Sequence, residues 1–223
     1  MTKNIDFEAH QLYTLLADGG LALTRTSTGY GLVAMRSEAV RRIYALKGRA
    51  AVKPCVTVAT MTILDDIAKP LAPDTRDWLI GAARRWPLAL INELNPDSKL
   101  LASWEPFVRG QCTKVDTVAS FFGVGELVSR AADIAFQHGE LLVGSSANRS
   151  GTGNNYTIDD VPEEMRTSVD GVFDFGATHV SADGKLASSI LDLTRGGTFQ
   201  RQGILHAEIE ASWEEFRALR RAA

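Results

Sequence analysis

What most constrains this chain is the alternation of short apolar runs with segments of helical periodicity along its whole length, unbroken by a repeat, a low-complexity tract or a Pro/Ser-rich linker. Strand-like and helix-like segments in that order bury their apolar faces as a mixed α/β assembly. Phe7, Leu12, Leu15 and Leu16 share one face of a helix that ends at Gly19-Gly20, where glycine reaches the left-handed cap conformation, and Leu21 to Thr24 follows as a buried strand. Ser37 to Lys47 carries Val40, Ile43, Tyr44 and Leu46 at helical spacing, with Ser37 as the expected N-cap, and this helix delivers Lys47 at its C-terminal end. Further strands are expected over Cys55–Ala59, Leu88–Glu93, Gly139–Gly144 and Ser188–Leu193, and further helices over about 74–86 and 123–138. Ser212-Trp213-Glu214-Glu215 reads as a capping box opening a short amphipathic helix over about 212–221, with Phe216 and Leu219 inward.

Hydrophobic residues at 45% and charged ones at 23% supply a sizeable core and exclude a disordered chain. The 223 residues allow one large domain or two small ones, and with no linker in view the expectation is one domain over 1–223. Twenty-four Lys+Arg against 27 Asp+Glu gives a net charge of −3, so no global cationic field draws nucleic acid or an anionic membrane, and any polyanion site is local. The apolar runs fall short of the roughly 18 residues of a membrane helix, and the N-terminus lacks the basic-then-apolar pattern of a secretory signal, so a cytoplasmic location without a membrane partner is expected. Cys55 and Cys112 show neither zinc-ligand spacing nor a disulfide framework and read as buried or incidental thiols. No Ser–His–Asp triad is legible around His10, His138, His179 or His206, and no metal-ligand set is expected.

Three segments carry chemistry. Lys47-Gly48-Arg49 is either a helix end whose cations complement the macrodipole or a triphosphate clamp, with a mobile point charge, a planar fork and a glycine that lets backbone approach the phosphates. Gly144-Ser145-Ser146-Ala147-Asn148-Arg149-Ser150-Gly151 is either an ordinary polar turn or a loop whose hydroxyls, amide and N–H groups converge on an anion or nucleotide. Arg25-Thr26-Ser27-Thr28-Gly29-Tyr30-Gly31-Leu32 is a compact turn at a strand's carboxyl end, the edge where open α/β sheets hold ligands. Tyr30 in it is either a stacking platform or a core aromatic.

In this order the segments resemble the YrdC-like family, the threonylcarbamoyl-adenylate synthases that open biosynthesis of the N6-threonylcarbamoyl modification of tRNA adenosine. The family's Pro-Thr-acidic-Thr-x-Tyr-Gly-Leu turn corresponds to Arg25–Leu32, and its Lys-x-Arg followed by Lys-Pro to Lys47, Arg49, Lys53 and Pro54. Its Ser-Ala-Asn-x-Ser-Gly corresponds to Ser146–Gly151, its Ser-Thr-x-x-Asp-Leu to Ser188–Leu193 and its Arg-x-Gly to Arg201-Gln202-Gly203, so the resemblance runs from about residue 12 to 205. It implies one α/β domain with a twisted mixed sheet and helices around a large, open, positively lined cavity where L-threonine, bicarbonate and ATP with Mg2+ meet. By the same resemblance Lys47 and Arg49 hold the phosphates, Ser146 and Asn148 face the nucleotide and carbamate, and Ser188 and Arg201 complete the nucleotide pocket. Thr26 and Thr28 line the amino-acid pocket and Tyr30 packs beside the substrates. The implied partners are a transferase that takes up the product and tRNA or double-stranded RNA.

Several positions depart from the family pattern. Arg25 stands for proline and Ser27 for the acidic residue of the first turn. The family's Trp-Pro-Gly-Pro-x-Thr element is Trp86-Pro87-Leu88-Ala89-Leu90-Ile91 here, and its Val-x-Val-Arg-x-Pro strand is Asp116-Thr117-Val118-Ala119-Ser120-Phe121, which loses an arginine that faces the phosphates; Arg25, Arg109 and Lys114 are the candidate replacements. Besides threonylcarbamoyl-adenylate synthesis, the sequence therefore leaves open a carbamoyl-adenylate enzyme acting on another amine and a non-catalytic module that binds nucleotide or double-stranded RNA.

Overall fold

The computed structural model describes residues 4–48, 54–178 and 186–222. Its elements alternate as the periodicity requires: α1 (Ile5–Ala17), β1 (Ala22–Thr26), β2 (Gly29–Ala34), α2 (Ser37–Lys47), β3 (Val56–Val58), α3 (Met61–Ile67), α4 (Pro73–Arg85), β4 (Leu88–Glu93), α5 (Lys99–Ser103), α6 (Pro106–Cys112), β5 (Thr113–Lys114), β6 (Thr117–Phe122), α7 (Glu126–Gln137), β7 (Val143–Ser146), α8 (Glu163–Thr167), β8 (Gly171–Phe173), β9 (Ser189–Asp192), β10 (Thr198–Arg201) and α9 (His206–Ala222). The described strands form one mixed sheet in the order β10-β9-β4-β6-β3-β7-β2-β1-β8, with β5 paired to β6.

This order brings the motif-bearing segments together. β2 is the hairpin partner of β1 and also pairs with β7, so the turn after β1 and the serine-rich end of β7 lie side by side, with Gly31 opposite Ser146 and Leu32 opposite Ser145. β4 takes β6 on one side, antiparallel, and β9 on the other, parallel. One apolar cluster gathers α1, α3, α4, α7 and the C-terminal helix on the sheet, and a second packs α2 and α6 against β2 and β7. Burial of side chains such as Leu12, Ile43 and Leu90, each fully enclosed, is worth about 1.5–3 kcal/mol apiece before entropy is charged against it.

Three sequence expectations are corrected. Arg36, not Ser37, is the N-cap of α2, and the Ser37 N–H donates to the Glu105 carboxylate at 2.9 Å. The strand expected from Gly139 begins at Val143 and runs through Ser146, so Ser145 and Ser146 are strand residues held in register with β2. The C-terminal helix starts at His206, not at Ser212, and buries Ile209 and Trp213; the Ser212 hydroxyl sits mid-helix and accepts the Trp78 indole N–H at 3.1 Å, and Leu219 is exposed.

Candidate functional site

The turn between β1 and β2 is built by its own hydroxyls. Thr26 Oγ1 donates to the Gly29 carbonyl at 2.5 Å and accepts the Thr28 N–H at 3.3 Å. Ser27 ties the turn outward: its N–H donates to Val124 O at 2.9 Å and its hydroxyl to Gly123 O at 2.5 Å. Residues 154–155 clamp the other side, with Asn154 Nδ2 on Thr28 O at 2.7 Å and Asn155 O accepting the Tyr30 N–H at 2.8 Å. Glycine is required at 29, where φ is +129° and a Cβ would stand 2.6 Å from Asn155 O. Tyr30 is buried and its hydroxyl donates to Asp174; burial first, and then that bond, push the phenol well above its ordinary range.

Lys47 ends α2, and Gly48 takes the left-handed conformation that stops the helix there. The side chain is buried, and its ammonium donates to Ser146 O, to Asn148 O at 3.0 Å and to Asn148 Oδ1 at 3.0 Å, with Ser146 Oγ 3.3 Å away. Ser146 Oγ in turn donates to Asn148 Oδ1 at 2.5 Å, and Asn148 Nδ2 to Arg149 O at 2.8 Å. Backbone bonds from Ser150 N to Lys47 O and from Ala147 N to Tyr30 O, with Asn155 Nδ2 on Ala147 O, fix this loop to the helix end and to the first turn. A compact ammonium with three convergent acceptors is a structural pin for the loop.

The third part comes from the C-terminal strands. Arg201 on β10 donates from Nε to Ser188 O at 2.7 Å and from Nη2 to Ser188 Oγ at 3.1 Å. Gly203 follows because a Cβ there would lie 2.2 Å from Ala187 O and 2.6 Å from Ser188 O.

All three parts border one cavity of about 310 Å3, whose walls include Thr26, Thr28, Tyr30, Ser146, Ser188 and Arg201. Among the described residues Lys47 and Asn148 are outside the lining but bond to Ser146, which belongs to it, and Arg201 is the charged side chain of the lining, which otherwise carries hydroxyls, the Asn154 amide and apolar groups. Arg49, which the sequence reading places at the phosphates, and Lys53 of the Lys-Pro match lie outside the described residues, as does His179. Arg25 donates to Ala177 O at 3.1 Å, and neither it, Arg109 nor Lys114 is in the described lining. Cys55 borders the cavity, and Cys55 and Cys112 are both buried, with no disulfide among the described residues. Among the described residues no three His, Cys, Asp or Glu side chains converge as metal ligands, and no helix is long and apolar enough to cross a membrane. The clamp at 154–155 escaped the sequence reading, because asparagines that bind backbone carbonyls leave no periodic signal.

Comparisons with known proteins bear on the family and the fold. The Sua5/YciO/YrdC family model, described as telomere recombination, matches residues 14–203. A threonylcarbamoyl-AMP synthase of Pyrococcus abyssi is 28% identical over 182 residues, which is 80% of this chain and 48% of that protein, so the chain spans about half the length of this relative. In fold, the chain is similar to Pyrococcus abyssi Sua5 complexed with L-threonine (24% identity, TM-score 0.69, covering 89% of this chain and 54% of that one). It is also similar to a hypothetical protein of Streptococcus mutans (17% identity, TM-score 0.77, covering 91% and 89%).

Proposed function

The chain belongs to the Sua5/YciO/YrdC family, and on that premise we propose that it is an ATP-dependent transferase of the threonylcarbamoyl-AMP synthase kind, joining an L-α-amino acid, bicarbonate and ATP into an aminoacyl-carbamoyl adenylate. The observation that carries this reading is the convergence on one cavity of the Thr26–Thr28 turn, the Lys47-pinned Ser146–Asn148 loop and the Ser188–Arg201 pair. The domain assigned to this work is 1–223, with its motifs between about 12 and 205.

The chemistry asks for positioning and charge neutralisation more than for an acid–base pair. The amine nitrogen attacks bicarbonate carbon and water leaves, giving a carbamate. A carbamate oxygen then attacks the α-phosphorus, a new P–O bond forms, and the bond to the β-phosphate breaks with its electron pair leaving on pyrophosphate. Thr26 and Thr28 are assigned to the amino-acid end. Ser146, held by Lys47 and Asn148, faces the reacting carbamate and nucleotide. Arg201 with Ser188 is assigned to the nucleotide, and Arg49, which follows α2 in the sequence, to its phosphates, while Tyr30 packs beside the substrates. Magnesium is assigned to the substrate, bound to the triphosphate. The product is a reactive mixed anhydride that requires an acceptor, which fits a partner transferase acting on tRNA.

The test is pyrophosphate release with MgATP, bicarbonate and a panel of L-amino acids that includes threonine, each component omitted in turn. Release that needs all of them is expected; release indifferent to bicarbonate, or none with any amino acid, overturns the reading.

A further inference from the structure

The cavity has a wall that triphosphate chemistry leaves unused. Ala89 and Ile91 on β4 stand directly opposite Phe121 and Ala119 on β6, and all four line the cavity. Val58 on β3 is the register partner of Phe121, Ile190 on β9 is that of Ala89, and Val124 and Val128 also line the cavity. The result is a continuous apolar patch across four adjacent strands. Three of its members, Ile91, Ala119 and Phe121, stand where the sequence loses the threonine, arginine and proline of the family pattern.

Phosphate oxygens gain nothing from such a wall, and a hydroxyl turned onto it loses water without finding a partner. An apolar side chain placed there is buried against matching surface. The patch also reaches the end of the cavity assigned to the amino acid, because the Ser27 N–H donates to Val124 O at 2.9 Å and Thr26 and Thr28 border the same space.

We propose that the amine this chain activates is an L-α-amino acid with an apolar side chain, and that Ala89, Ile91, Ala119 and Phe121 form the subsite for that side chain. The inference rests on the carbamoyl-adenylate reading above and narrows its substrate. The α-amino and carboxylate groups of such a substrate are those of threonine, so the bond-making steps are unchanged and selection falls on the side chain alone.

The experiment measures kcat/KM for pyrophosphate release with MgATP and bicarbonate over valine, leucine, phenylalanine, threonine and serine, together with calorimetric binding of leucine and threonine to the ATP-free protein. An apolar amino acid is expected to exceed threonine about 10-fold or more in both readouts. Ile91→Thr is expected to raise KM for the apolar amino acid and narrow that preference while leaving KM for ATP unchanged; Phe121→Leu, a milder change in the same wall, does the same to a smaller degree if Ile91→Thr folds poorly. Threonine preferred over every apolar amino acid overturns this inference and leaves the reaction class standing. Bicarbonate-dependent release with no amino acid removes both. A rise in KM for ATP with unchanged amino-acid preference assigns the wall to the nucleotide and overturns the inference.

Discussion

Lys47 concentrates the site's residue-scale logic in one side chain. Two roles fit a lysine at a helix end beside a serine-rich loop: reaching phosphates as a mobile charge, or holding the loop. The observed bonds to Ser146 O, Asn148 O and Asn148 Oδ1 favour holding. Lys47→Met strips those acceptors of their donor, and leaving buried polar groups unsatisfied costs about 1–3 kcal/mol each. A lower midpoint in chemical denaturation, with loss of pyrophosphate release, is the expected outcome, and Lys47→Arg is expected not to restore it because a planar fork cannot meet three convergent acceptors. Unchanged stability with only ATP affinity lost would put the ammonium on the phosphates instead. The resemblance to the family made Lys47, Ser146 and Asn148 legible as neighbours. It could not say that the ammonium is held by Ser146 O, Asn148 O and Asn148 Oδ1, because that depends on how the end of β7 presents its carbonyls.

Elements were legible where local periodicity matched tertiary burial and illegible where a distant partner decided. α2 runs over Ser37–Lys47 and β4 over Leu88–Glu93, both as the spacing of apolar residues predicts. β2 escaped because its glycines and Tyr30 read as a turn; only pairing with β1 and β7 makes Gly29–Ala34 a strand. The capping box at Ser212 was a false start, since Trp78 claims the hydroxyl and the helix extends back to His206 to bury Ile209 and Trp213. Gly203 shows how tightly one such element is set. Its missing side chain lets the chain after β10 pass Ala187 and Ser188, and its N–H donates to Ser189 Oγ at 3.0 Å. Gly203→Ala therefore displaces backbone, not a flexible side-chain tip, and a loss of about 1–3 kcal/mol is expected on denaturation, the range of overpacked cores. Because that displacement moves Ser188, the KM for ATP is expected to rise as well; a variant that melts like the parent with unchanged KM would contradict the close approach.

At the scale of the whole molecule, carboxylates tie together parts of the chain that are far apart in sequence. Asp170, just before β8, accepts the Leu21 N–H at 2.7 Å and a guanidinium N–H of Arg42 at 2.6 Å, linking the sheet edge to β1 and α2. Glu105 accepts the Ser37 N–H at the start of α2. The Arg42 bond, followed by the Leu21 N–H, holds Asp170 below its ordinary range, and hydrogen bonding from Ser37 does the same for Glu105. Since both groups are depressed in the folded state, the unfolded chain binds protons first as pH falls. Their stabilising contribution is complete above their unfolded values near pH 4, shrinks as the pH drops through that range toward the folded values, and is gone below both. The melting temperature is therefore expected to be flat between pH 6 and 8 with respect to these two groups and to fall steeply below about pH 4.5. The double variant Asp170→Asn with Glu105→Gln is expected to melt lower than the parent at pH 7, yet to lose less on acidification, so that the two curves approach each other near pH 3. Parallel curves across the whole range would mean that these ties contribute no proton-linked stability and that the edge holding the first turn is secured by packing alone.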